Sequence, residues 1–552
     1  MKQLILVFLT ISNFAYSQTP VFSSAYNFPV TPGFSALDNA GNLVLTGSFS
    51  GTQDFDLGNG TQDLVSPSPS SSYIVKYSPT GNYLMGFVIP DVLIRSITVD
   101  VSNNIYISGT IDTIVDFDPG VGVSNHANSG NNSDVFVAKY DGNGNFVLAF
   151  VLESSYIGMG SIVRVDNNSN IFLWGEFNND LDLDPGPGTT IITESTSEYP
   201  AYIAKYSPTG SLLFGHKFVN SSSYQDIIID NTGNVYLSGS FENTMDIDPD
   251  INDTAYLTAV NGQDGFWAKF DNNINYINSA SYHGGVNYLE LDNDNNFYIS
   301  GRNPDSMDVD LGPGVTMLYS EEFYDIYIVK YDADFDLVYG KTFECDLSYL
   351  QYGLATDSLG GIYMCGEVPD TINFTPGQQT GVFVPLGNKD LFLIKLDPAG
   401  NYVFGGIFGD TLNTRPAGIE LNSNGDLWVY GSYNGTIDCD FGPSVSTLTS
   451  TQLNSKFLAK YTDPLYTSIL EPAKELPVKI YGAESKVFID FSALNKTNAQ
   501  VQVLNILGQT VYQTNHSQSN KLTINLPETG GQIYFVRVVN GDKTINRKLW
   551  ID

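Results

Sequence analysis

Ile227-Ile228-Ile229-Asp230-Asn231-Thr232-Gly233-Asn234-Val235-Tyr236-Leu237-Ser238-Gly239 is a pair of short apolar runs on either side of an Asn/Gly turn. β-Branched and aromatic residues flanking such a turn make a hairpin. Its closing glycine recurs at Gly47, Gly109, Gly175, Gly239, Gly301, Gly366 and Gly431, in steps of 62, 66, 64, 62, 65 and 65 residues. A lysine ends another apolar run, as in Phe136-Val137-Ala138-Lys139. It recurs at Lys76, Lys139, Lys205, Lys269, Lys330, Lys395 and Lys460, in steps of 63, 66, 64, 61, 65 and 65. Two independent markers that keep one period through seven copies define a repeat protein.

Each unit has the same order. A short apolar strand ends in Asp or Asn, a tight turn follows, and the next strand closes on the marker glycine. Then come an Asp-x-Asp-Pro-Gly-like corner, a loop, the strand ending in Lys, a second tight turn such as Ser207-Pro208-Thr209-Gly210, and a last strand. This is a four-stranded antiparallel meander without helical spacing. Both faces of its strands are apolar, as in Tyr73-Ile74-Val75, so each sheet must be covered on both sides, which radial stacking of blades achieves. The expected fold is all-β, a seven-bladed β-propeller. In the seventh unit Asp463-Pro464 stands where the fourth strand should begin, and Val21–Phe28 is read as the strand that completes that blade and closes the ring.

Residues 1–17 read as a secretory signal, with Lys2, the apolar run Leu4 to Ile11 and the small-x-small site Ala15-Tyr16-Ser17. The run is shorter than the about 20 residues of a membrane anchor, and no later segment reaches that length. The expected division is signal peptide 1–17, propeller 18–466, linker 467–478 and a C-terminal domain 479–552. Of 25 Lys+Arg and 60 Asp+Glu, the last 84 residues hold 9 and 7, so nearly all the acidity belongs to the propeller. A net charge of -35 excludes nucleic acid as a partner, because phosphate binding needs clustered Lys and Arg. Three cysteines cannot all pair internally, so stability is expected to come from packing.

The repeat resembles the seven-bladed propeller repeats of secreted bacterial proteins, whose D-x-F-V-x-K-x-D-x-x-G-N and V-D-x-x-G-N-x-Y-x-x-G patterns are carried by Asp134 to Asn145 and Ile229 to Gly239. Departures are Asp334 and Asp336 in one turn and Leu396 after its lysine. Beyond the Pro-containing linker, strands are expected at Val487–Phe491, 499–505, 510–513, 522–526, 531–539 and 544–551, enough for a small β-sandwich. Val501 to Val511, Gly531 to Val538 and Lys548 to Ile551 resemble the C-terminal sorting domain of type IX secretion substrates. The resemblance implies that residues 479–552 engage the type IX secretion machinery, with passage through the periplasm and release or attachment at the cell surface. The usual Asn-Pro near the start of such a domain is missing around Ile480-Tyr481-Gly482.

The variable second-to-third loops lie on one face of the ring, and a ligand is expected to meet that face. It also carries the Asp corners Asp54/Asp56, Asp116/Asp118, Asp182/Asp184, Asp246/Asp248, Asp308/Asp310 and Asp438/Asp440, with Asn373/Thr375 as the degenerate copy. Two carboxylates two residues apart in extended chain are candidate Ca²⁺ ligands. The alternative, preferred because seven of the 16 basic residues outside the C-terminal segment occupy the recurring lysine position, is that each pair caps its turn and neutralises that lysine. The histidines at 126, 216, 283 and 516 show no metal-binding spacing, and no cofactor is expected. No carboxylate pair stands out from the repeat. The expected function is a non-catalytic surface propeller that binds a glycan or an envelope protein. The alternatives are a secreted glycan-active enzyme with unrepeated carboxylates at the central channel and a calcium-ordered structural protein.

Overall fold

The computed structural model describes residues 19–463 except positions 129, 131–132, 156, 195–198, 321–324, 346–349, 376–380, 410 and 443; beyond them it describes 479–483, 486–491, 499–505, 510–516, 521–526, 532–540 and 543–551. The expected signal peptide and linker lie outside these residues. The chain divides into two compact units, Met1–Pro464 and Leu465–Asp552, and the described residues form no helix.

In the first unit seven antiparallel meanders follow one another, six as four-stranded sheets and the fifth with its four strands extended by the short hairpin Ile372–Asn373 and Val382–Phe383. The fourth blade, for example, is Ser221–Ile229, Val235–Asp246, Tyr256–Phe270 and Tyr276–Tyr282. The seventh consists of Thr414–Leu421, Asp426–Tyr433 and Ser455–Thr462, and its outer strand is Val21–Phe28, paired antiparallel with Ser455–Thr462 from Val21 opposite Thr462 to Phe28 opposite Lys456. Phe28 then packs with Tyr73, Tyr77, Trp428 and Leu458 in the apolar core between the last blade and the first. The third strands are buried on both faces, as in Asp134–Tyr140 and Asp390–Leu396, because a blade lies on either side of them.

Tight turns are built by their aspartates. Asp230 Oδ1 accepts from the backbone N–H groups of Thr232 and Asn234, and Asn234 Nδ2 donates to Asp230 Oδ2 at 2.8 Å; Gly233 between them has φ +89°. In the departing turn of blade 5 it is Phe335, not Asp334, that takes the glycine's left-handed position, at φ 68°. Its ring stacks on Trp267 at 5.2 Å, a contact that offsets the steric cost of a Cβ there.

The marker glycines have a different cause. A Cβ on Gly109, Gly301 or Gly431 would lie 2.0, 1.8 or 2.1 Å from the carbonyl oxygen of Leu93, Gly285 or Arg415. Those carbonyls belong to the first strands, whose pairing is broken by a bulge in six blades, between Ile94 and Ser96, Val286 and Tyr288, Pro416 and Gly418 and at equivalent points. The bulge brings backbone against backbone, and only glycine fits. Cys365 and Cys439 are buried free thiols, and burial pushes Cys439 up to about 12.

The second unit is two sheets, one of Lys479–Ala483, Lys486–Asp490 and Lys521–Asn525, the other in the order Thr510–His516, Ala499–Asn505, Gln532–Asn540, Lys543–Ile551. Val487, Ile489, Val501, Val503, Val536 and Val538 fill the core between them. Lys479–Ala483 is a strand beyond the six expected.

Candidate functional site in the central cavity

The structure places the Asp corners at the tips of small outer hairpins. Thr52–Asp54 pairs with Asp63–Val65, Asp180–Asp182 with Ile191–Thr193, and Thr436–Asp438 with Thr447–Thr449. Asp54 Oδ1 accepts from the N–H of Asp56 and of Gln62, and Asp182, Asp308 and Asp438 make the same two bonds with the N–H groups two and eight residues on. Asp116 repeats the pattern with Asp118 and Ser124, and Asp246 with Asp248 and Ala255. The second members cap the next N–H: Asp56, Asp118, Asp184, Asp310 and Asp440 each accept from the glycine two residues on, and Asp248 from Asp250. The hydroxyl of the tyrosine after the marker lysine donates to the carbonyl between the two aspartates, Tyr77 to Phe55 at 2.8 Å and Tyr206 to Leu183 at 3.0 Å. The blade with Leu396 at that position is the one with the degenerate pair Asn373/Thr375. Among the described residues no group of three or more His, Cys, Asp or Glu is placed to hold a metal ion.

The recurring lysines do not face these corners. They lie at the opposite end of the blades, against aspartates of the turn between the first and second strands; in three blades this residue follows the first strand, and in the seventh, where Asn422 stands there, it is Asp426 at the start of the second. Lys76 Nζ is 2.6 Å from Asp38, Lys330 3.3 Å from Asp292, Lys395 2.8 Å from Asp357, and Lys460 2.7 Å from Asp426. Strand register also sets six of them over the aromatic residue opposite, from Lys139 on Tyr106 at 4.8 Å to Lys460 on Trp428 at 5.6 Å. Each bonded lysine reaches into the following blade. Lys76 donates to Gly142 O, Lys205 to Asn272 O, Lys330 to Pro398 O, Lys395 to Asp463 Oδ2 and, across the closure, Lys460 to Pro79 O. Every acceptor stands three residues after its own blade's lysine, so one sequence position stitches the ring together.

A central cavity of about 610 Å³ is lined by the first strands of all seven blades. Counting back two residues from the turn Asp or Asn gives a ring of seven lining residues: Ala36, Thr98, Arg164, Ile228, Glu290, Ala355 and Glu420. Arg95, Asp226, Tyr288 and Tyr430 add to it. Asp226 lies 3.5 Å from Arg164 and accepts from Leu289 N. Glu290 accepts from the N–H and hydroxyl of Thr356, at 3.4 and 3.1 Å. Glu420 accepts from the Ser35 hydroxyl at 2.6 Å, which also contacts the Tyr430 hydroxyl. Burial pushes Glu290 up to about 8 against the Thr356 bonds, with Asp226 and Glu420 adding repulsion. Burial also raises Asp226 and Glu420, opposed in both by Arg164. These charged residues were missed in the sequence. The signal that would have found them is an alignment of the first strands on the turn aspartate, which shows the repeat broken at cavity positions.

Residues 482–552 match the family described as secretion system C-terminal sorting domain. The C-terminal segment is a sorting domain. With it the chain is a secreted or cell-surface propeller protein addressed to the type IX secretion machinery. No helix among the described residues is long and apolar enough to cross a membrane. The chain is 25% identical over 478 aligned residues, covering 79% of its length, to an uncharacterized WD repeat-containing protein of Acanthamoeba polyphaga mimivirus, and spans about a third (32%) of that relative. Among solved structures, the Dos1 propeller is similar over 80% of this chain and 94% of its own, at 9% identity and TM-score 0.40. PorZ, a surface component of the type IX secretion system of Porphyromonas gingivalis, is similar over 94% and 81%, at 11% identity and TM-score 0.23.

Proposed function

We propose that this secreted propeller is a non-catalytic binding protein that takes a polar, glycan-class ligand into its central cavity, with the variable loops surrounding the approach. The observation that carries the reading is where the repeat breaks. Turn aspartates, marker glycines and lysines are nearly uniform around the ring because the fold uses them, whereas the cavity ring holds Ala, Thr, Ile and Ala in four blades and Arg, Glu and Glu in the other three. Four blades do without a charge at this position, and burying one costs free energy, so we read the three charges, beyond the bonds they make to neighbouring blades, as serving something that enters. Hydroxyl-rich ligands suit a wall that offers carboxylates, guanidiniums and two tyrosines together.

A glycan-active enzyme is the second reading, favoured by one observation: a carboxyl raised to about 8, Glu290, stands among other carboxylates as a general acid would. One experiment separates the two. The mature protein is screened on a glycan array, and each hit is then tested for affinity and for turnover with the wild type and with Thr98→Trp, which pushes an indole from the wall into the cavity. Binding without turnover that Thr98→Trp abolishes is the expected result. Binding untouched by Thr98→Trp moves the site to the variable loops, and turnover lost in Glu290→Gln establishes the enzyme.

A further inference from the structure

We propose that Lys205 and Asn272 condense spontaneously into an isopeptide bond that ties the third blade to the fourth.

The site is a break in the lysine ring. Three residues after the marker lysine the blades carry Pro79, Gly142, Pro208, Asn272, Ala333, Pro398 and Asp463. Lys76, Lys330 and Lys460 use only the backbone carbonyl of that position, and Asn272 alone adds a carboxamide. Lys205 Nζ donates to the Asn272 carbonyl and, at 2.8 Å, to its side-chain Oδ1, which leaves Cγ one covalent bond beyond the contact. On the other side Asn272 Nδ2 donates to Asp166 Oδ2 at 3.0 Å and to Gly233 O at 3.1 Å. The carboxamide is held between the amine and the turn aspartate. A Cβ on Gly233 would lie 2.5 Å from Nδ2, so the glycine leaves the space that this side chain occupies.

The interposed carboxamide changes the chemistry of the lysine. Lys76, Lys330, Lys395 and Lys460 are ion-paired with the turn aspartates of their blades, whereas Lys205 is in no ion pair among the described residues. It is buried at 6% exposure with the Phe172 ring 5.0 Å away. Burial pushes its amine below the ordinary lysine range, opposed by Asp166 and Asp271, which favours the neutral, nucleophilic form. The carboxamide is an uncharged electrophile; Asp463 at the same position is ion-paired with Lys395, and a carboxylate resists attack.

Nζ attacks Cγ of Asn272, and the Cγ–Nδ2 bond breaks. Ammonium and carboxamide give a secondary amide and an ammonium ion, with two protons passing from Nζ to Nδ2, so no oxidant, reductant or other reactant is needed. Asp166 Oδ2 is placed to relay those protons, because in the tetrahedral adduct both nitrogens sit on one carbon and it already holds Nδ2. Contact between the groups in the folded chain makes the reaction unimolecular. The product closes a loop across 67 residues in a chain whose described cysteines, Cys365 and Cys439, are free thiols, and a covalent loop of that kind stabilises by constraining the unfolded chain.

The test is tryptic peptide mapping of the mature protein after full denaturation. Trypsin does not cut at an acylated lysine, so the expected product is residues 165–217, uncut at Lys205, joined to residues 270–302 and lighter than the two together by one ammonia. Fragmentation should place the join at Lys205 and Asn272, and Lys205→Arg and Asn272→Ala should each abolish it. Asp166→Asn, the residue that Asn422 supplies at the same turn position in the seventh blade, should lower the joined fraction at least about tenfold in protein that a melting curve shows to be folded. Recovery of residues 165–205 and 270–302 as separate peptides from folded wild type, after prolonged incubation at mildly alkaline pH, overturns the proposal, and that measurement needs no variant. A join that uses another lysine or asparagine overturns the assignment, and a joined fraction unchanged in Asp166→Asn overturns the relay.

Discussion

Lys395→Met removes the cation on which two buried carboxylates depend. Lys395 Nζ lies 2.8 Å from Asp357 Oδ2 and 2.5 Å from Asp463 Oδ2, all three side chains being at most 2% exposed. The Tyr363 hydroxyl also donates to Asp463, at 2.9 Å, and its ring lies 4.9 Å beneath the ammonium. Methionine keeps the stem and its packing but leaves Asp357 and Asp463 facing one another without compensation. Breaking a buried pair in this way costs about 3–5 kcal/mol. Unfolding entropy of about 2.1 cal/mol/K per residue over residues 21–464 comes to roughly 0.9 kcal/mol/K, so the melting temperature should fall by about 3–5 °C if the ring melts as one unit. The assay is thermal unfolding by circular dichroism near neutral pH. Asp463→Asn should cost less in the Lys395→Met background than alone, because the groups share one network. A shift below about 1 °C, or strict additivity of the two substitutions, would refute the assignment of the lysine ring as the stitching between blades.

Deleting Val21–Phe28 strips the outer strand from the seventh blade and exposes the edge of Ser455–Thr462, so loss of cooperative melting or aggregation is expected; the milder Phe28→Ala should cost about 3 kcal/mol in a denaturant titration. Glu290 titrates at about 8 folded against 4.5 in the free residue, so the folded chain holds a proton that the unfolded chain has lost between those values, and this contribution to stability falls as pH rises through the window. Glu290→Gln should therefore melt above the wild type near pH 8 and lose that advantage toward pH 4.5; a gap constant with pH contradicts it. The corner carboxylates are engaged by backbone N–H groups, so a chelator should move the melting temperature by less than about 1 °C, while Asp182→Ala should lose about 1–3 kcal/mol; a chelator shift reversed by calcium would restore the metal reading.

Much of the architecture was legible because each blade repeats a local rule. Asp230 to Asn234 writes its own turn within five residues, and Gly239 marks the close approach of the first strand, so period and strand order could be read directly. Closure was legible from a missing strand at one end and an extra one at the other. The lysine partners were not. Lys76 and Asp38 are 38 residues apart, and only the register that sets Lys76 opposite Val44 carries the ammonium past the strand end to Asp38. The corner aspartates, acidic and regularly spaced, were assigned to the lysines for want of that register. The outer hairpins were read as loops, their strands being two or three residues long. The cavity charges were obscured for a further reason: Asp226, Glu290 and Glu420 each occur in one blade against a background of apolar first strands, and only closure of the ring sets them around one space.

A crystal structure of the mature protein with the tightest ligand from the glycan screen bears most directly on the claim that function resides in the central cavity. Ligand density is expected among the first strands, with its polar groups within hydrogen-bond distance of Glu290, Glu420 and Arg164. Density confined to the outer hairpins that carry the Asp corners, with the cavity unoccupied, would contradict the account.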